Sequence, residues 1–292
     1  MYHHLEHHGI NIGIPFMPIS TIGIAVAFYL GFKNNQSYDR FWEGRKIWGG
    51  IVNYSRTWGN QVMSYVTNLH TENALSEEEL HQIQQRLIYR HIAWINSLRL
   101  QLRVPAAHGL SETKKANKKM YQGKAGGENW NQEVAPFLSN GNELKMIECK
   151  INTATHIIRA QGEDCKQLFK RGIIEDFRHM DLMSSLEEFY NLQSKCERIK
   201  NTPLPRQYSY FSAVFVWIFI LLMPFGLVGE FGDMGHNFIW LTVPFYIIVA
   251  WVFLTMELVG DNSEDPFENF INDVPMTALC RSIEIDLREM LG

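Results

Sequence analysis

Two groups of side chains in this sequence are of types that hold metal ions. His4-Leu5-Glu6-His7-His8 has the HxxHH spacing of a histidine box, and the pairs His3/His7 and His4/His8 would each share a helix face. An iron pair needs several such boxes to complete its ligands, and His70, His81, His91, His108, His156, His179 and His236 form no second one. A polar loop, with His4 and His8 as a candidate Zn2+-type modulatory site, is the simpler reading. The second group is Asp261-Asn262-Ser263-Glu264-Asp265-Pro266-Phe267-Glu268. Asp261, Glu264 and Asp265 are candidate Ca2+ ligands, but the stretch lacks the DxDxDG order of a calcium loop. A capped turn between the last span and a C-terminal helix is the simpler reading. No GxSxG, P-loop, GxGxxG or HExxH is present, so no catalytic motif supports an enzyme.

A third group consists of apolar residues at fourth-residue spacing. Ile24, Phe28 and Phe32 form a bulky row, beside a small-residue row of Gly23, Ala27 and Gly31. Small residues at this spacing let helices approach closely in lipid. A bulky row allows two readings: a lipid-facing surface, or several copies around an axis that narrow a pore and gate it by dewetting.

These rows need a membrane-crossing helix to carry them. The mean hydropathy of −0.16 is that of an ordinary soluble chain, but the apolar residues gather at the two ends. Ile12 to Phe32, Tyr210 to Val228 and Phe238 to Met256 contain no charged residue. A helix rising about 1.5 Å per residue needs about 20 residues to cross a ~30 Å hydrocarbon layer. The expected organisation is an extracytoplasmic segment 1–11, a transmembrane helix 12–33, a helical region 34–207, a transmembrane helix 208–228, a turn 229–237, a transmembrane helix 238–259, and a C-terminal segment 260–292.

Charge gives the orientation. Of 27 Lys and Arg residues none lies in 1–32, and only Arg281 and Arg288 follow residue 207. The positive-inside rule therefore puts the central region and the C-terminal segment in the cytosol of a multi-pass protein of the cell (inner) membrane. That topology leaves Met1 outside, and a further span upstream of residue 1 is the expected remedy. The net charge of −4 gives no basis for a nucleic-acid partner. Cys149, Cys165, Cys196 and Cys280 show no CxxC spacing and read as free thiols. Within the central region, residues 77–103 read as a helix capped by Ser76, with Ile83, Leu87, Ile88, Ala93, Trp94 and Leu98 as its apolar stripe. Residues 142–171 and 181–200 read as helices too, and Ser111 to Pro136 as a solvated loop.

The run Leu30-Gly31-Phe32-Lys33-Asn34-Asn35-Gln36-Ser37-Tyr38-Asp39-Arg40-Phe41-Trp42-Glu43-Gly44-Arg45 resembles the signature of the bacterial branch of the bestrophin family. Asn201-Thr202-Pro203-Leu204-Pro205, Glu264-Asp265-Pro266-Phe267 and Asn272-Asp273-Val274-Pro275 match in order, so the resemblance spans nearly the whole chain. It implies an all-α membrane protein, assembled as a homopentamer around one axial pore, with a large helical cytosolic region. It implies passive flow of small monovalent ions, chloride or other anions or Na+/K+, with no required cofactor. By position it assigns the pore neck to Ile24, Phe28 and Phe32 and the cytosolic aperture to Leu204. It also implies a first membrane helix that this chain lacks, and acids after the last span, here Asp261, Glu264 and Asp265, where animal relatives bind Ca2+. The competing readings are a membrane metalloenzyme of the desaturase type and a non-conducting membrane scaffold.

Overall fold

The computed structural model describes residues 14–71, 74–104, 129–138, 141–270 and 272–292. Among them every regular element is a helix: α1 (Phe16–Tyr65), α2 (Glu77–Arg103), α3 (Trp130–Glu133), α4 (Gly141–Glu148), α5 (Thr153–Lys170), α6 (Asp176–Asn201), α7 (Arg206–Asp233), α8 (Thr242–Ser263) and α9 (Met276–Leu291). The chain forms two compact units. One comprises residues up to Phe41 with Pro203–Asp265, the other Trp42–Thr202 with Pro266–Gly292. α1 has residues in both.

The first unit contains the long apolar stretches. Among the described residues three helices are long and apolar enough to cross a membrane: α1, α7, and α8 with the 3-10 turn before it. Its core is Ile19, Val26 and Leu30 of α1 against Val216, Phe219, Ile220 and Met223 of α7, with Ala250 of α8. Gly23 permits the close approach, because a Cβ there would lie 2.6 Å from the Phe219 ring. α8 is mostly uncovered, with Val243, Phe245, Ile247, Ile248 and Trp251 at least half exposed. In water such a face would be unstable; in a bilayer it needs no cover.

The second unit packs around α2. Ser76 Oγ accepts from Glu79 N at 3.2 Å while Ser76 N donates to Glu79 Oε2 at 3.0 Å, the reciprocal cap that starts the helix. The expected stripe is the buried face, no member of it more than 5% exposed, and α2 packs on α5, α6 and α9. Cys165, Cys196 and Cys280 are buried free thiols and Cys149 is an exposed one. Burial raises the Cys165 and Cys280 thiols to about 12, which keeps them protonated.

Four expectations change. The first span does not end as a helix at residue 33, since α1 continues to Tyr65. Its Gly49-Gly50 pair does not break it; Gly50 lets Leu192 approach, and a Cβ there would lie 3.1 Å from a Leu192 methyl. Residues 142–171 are two helices rather than one, because Asn152 Oδ1 accepts from Thr155 N and starts α5 afresh. The 229–237 turn shrinks, because α7 runs to Asp233 and a 3-10 helix begins at His236, with Gly235 at φ +128 making the reversal. Most of the loop placed at 111–136 lies outside the described residues, but its end forms α3 and a 3-10 turn, Ala135–Phe137.

Candidate functional site

The seam of α1 decides where its bulky row points. Ile19, Gly23, Val26, Leu30, Lys33 and Ser37 are buried, at alternating spacings of four and three residues. This is the period that keeps one helix stripe facing its neighbours. Ile24, Phe28 and Phe32 fall on the other side and are 62%, 67% and 64% exposed. Their four-residue spacing stacks them about 6 Å apart along the axis. Ala27, Phe28, Gly31, Phe32 and Asn35 line one open trough. The small-residue row therefore divides: Gly23 packs inside the chain, whereas nothing lies within 4 Å of where a Gly31 Cβ would be.

One turn beyond Phe32 the exposed side of α1 becomes polar with Asn35, Gln36 and Asp39. The buried seam becomes polar as well. Lys33 is 1% exposed, and its Nζ lies 2.6 Å from Glu257 Oε1 and 3.6 Å from Asp261 Oδ1, both on α8. Each carboxylate also accepts a hydroxyl from α7: Ser212 Oγ to Glu257 Oε2 at 2.5 Å, and Ser209 Oγ to Asp261 Oδ1 at 3.0 Å. A Cβ at Gly260 would overlap the Asn34 side chain, so glycine lets α8 reach α1 here. The sequence reading missed this cluster. Its signals were Lys33 and Glu257 near the ends of the expected transmembrane helices 12–33 and 238–259, which nothing local connects across 224 positions.

The signature residues pack on the acidic motif. Arg40 Nε donates to the Glu264 carbonyl at 3.0 Å, and a Cβ on Gly44 would meet the Phe267 ring at 3.1 Å. Glu43 pairs with Arg198, and the buried Lys200 Nζ lies 2.5 Å from Glu268 Oε1. Leu204 lies half-buried in the turn entering α7, where Pro205 precedes the first helical residue. It is not among the residues lining the trough beside Phe28 and Phe32.

The candidate metal ligands take different positions. Asp261 is engaged by Lys33 and Ser209, and Glu264 is buried. No group of three or more His, Cys, Asp and Glu among the described residues is arranged to hold a metal ion. His4 and His8 lie outside the described residues.

Known proteins are similar to this chain in sequence and in fold. The chain is similar to the voltage-dependent anion channel-forming protein YneE of Escherichia coli, at 28% identity over 284 residues, 96% of this chain and 79% of that protein. A voltage-dependent anion channel-forming protein of Mesorhizobium japonicum is likewise 28% identical, over 94% of this chain and 75% of its own length. The fold superposes on the crystal structure of a bacterial bestrophin homolog from Klebsiella pneumoniae with a TM-score of 0.80 and 26% identity. That match covers all of this chain and 92% of the other. A family profile described as Bacterial/Fungal Bestrophin protein matches residues 1–289. With a profile match over nearly its whole length, the chain belongs to the bacterial and fungal bestrophin family.

Proposed function

We propose that the chain is a subunit of a passive channel for small monovalent anions, a homopentamer whose narrow neck is built from Ile24, Phe28 and Phe32 of each subunit. The observation that carries this reading is the outward row on α1. Three bulky apolar side chains, each about two-thirds exposed, sit opposite a buried seam, and the same side turns polar within one further turn. The change from apolar to polar residues is read as the level at which α1 leaves the hydrocarbon layer, which keeps the three-residue row at membrane depth. At 50 residues α1 is about 75 Å long, more than twice a hydrocarbon layer of ~30 Å. It can line a path through the membrane and beyond it.

Apolar rings do not choose the sign of an ion; they set whether water, and the ion with it, can fill the neck. Anion preference is proposed from the names of the similar proteins. Leu204 from each subunit forms a second constriction at the cytosolic end, its backbone fixed by Pro203 and Pro205. The second unit faces the cytosol, in keeping with the positive charge between residues 33 and 207. Conduction needs no cofactor, and modulation by Ca2+ or Zn2+ is no part of this reading, since Asp261 is engaged by Lys33 and Ser209.

Planar-bilayer recording of the purified protein under a potassium chloride gradient tests this. The current should reverse near the chloride equilibrium potential. Reversal near the potassium potential overturns the anion assignment, and no current from a correctly assembled oligomer overturns the channel.

A further inference from the structure

The cluster around Lys33 has an architecture that the conduction reading does not use. One ammonium from α1 is held by two carboxylates one turn apart on α8, and each carboxylate is held by a serine one turn apart on α7. Three helices thus meet in a single polar contact, with Leu30 fully buried one turn before it. At 3.6 residues per turn, Ile24 points about 180° from Lys33, Phe28 about 140° and Phe32 about 100°. Rotating α1 enough to swing Phe28 out of its row would draw the ammonium away from Glu257 and Asp261. Removing one partner of a buried pair leaves the other charge uncompensated, so the pair resists that rotation far more than an apolar contact would.

We propose that Lys33, with Glu257 and Asp261, is the positioning cluster that fixes the rotational setting of α1 and thereby the balance between open and closed neck. This rests on the reading of Ile24, Phe28 and Phe32 as the pore wall. The cluster touches no permeating ion, so it sets how often the neck is open and not what passes through it. Ser212 and Ser209 hold the carboxylates in place for Lys33, which extends the contact to α7.

Single-channel recording of Lys33→Met, Glu257→Gln and the exchanged pair Lys33→Glu with Glu257→Lys tests it. Each single variant should change open probability by about tenfold or more, with unitary conductance and reversal potential unchanged. The exchanged pair should return open probability toward the unsubstituted value, a rescue that a general loss of packing would not give. Should the single variants fail to assemble, Ser212→Ala keeps the ion pair and frees one carboxylate oxygen, and it should still shift open probability severalfold. Open probability within about twofold of the parent in the assembled single variants, or in Ser212→Ala where those do not assemble, overturns the proposal. Absence of current from the unsubstituted protein would instead sink the channel reading, so the two failures are distinguishable.

Discussion

His91 is a titratable residue enclosed with almost nothing to titrate against. It is 3% exposed, packs on Trp58, Trp94 and Phe189, and its Nε2 lies 2.9 Å from Ser55 Oγ. Burial pushes its pKa down to about 3. The ordinary value is about 6.5, so below that pH the unfolded chain binds a proton that the folded chain refuses. Stability from this residue is fully present above pH 6.5 and is lost as pH falls toward 3. Between pH 6.5 and 4 the loss should be about 3 kcal/mol. Urea unfolding of the full chain in detergent at both pH values, compared with His91→Phe, measures it. The variant should show a shallower pH slope, and an equal slope would refute the assignment. In the sequence His91 was one of several scattered histidines, and its burial became visible only with Trp58 and Phe189 folded around it. The exposed apolar row was legible because Ile24, Phe28 and Phe32 lie on one helix. Lys33 was not, because its partners come from the far end of the chain.

At the scale of elements, local signals were read well and long-range ones poorly. Ser76 was legible as the N-cap of α2, whereas the return bond from Ser76 N to Glu79 is a finding of the structure, and Ser76→Ala should destabilise the protein by about 1 kcal/mol in the same unfolding experiment. The apolar stripe of α2 was legible from its periodicity, but the break between α4 and α5 was not. It rests on one asparagine side chain capping a turn, and no proline or glycine marks residues 149–152. The small-residue row shows the same limit. Gly23, Ala27 and Gly31 are equivalent by spacing, and only the position of Phe219 tells Gly23 apart. Gly23→Ala should therefore cost about 1–3 kcal/mol by forcing its methyl into the ring, whereas Gly31→Ala should leave the melting temperature unchanged. Equal effects at both sites would mean that the α1–α7 contact is misassigned.

For the whole molecule, the uncharged stretches showed a membrane address, but an isolated chain leaves its most informative surface uncovered. Apolar side chains two-thirds exposed on α1, and an α8 that faces outward along most of its length, are faces waiting for neighbours of different kinds. The account assigns lipid to α8 and four further copies around an axis to α1. The mass of the protein in the detergent-solubilised complex should be five times 34.0 kDa. A monomer would remove the shared pore. The measurement that reaches the central claim most directly is the reversal potential of Phe28→Glu beside Phe28→Gln under a salt gradient. If Phe28 lines the path, five carboxylates in the neck should move reversal from the anion toward the cation potential, and the neutral variant should not. A conducting Phe28→Glu channel that reverses where the parent does would contradict the account.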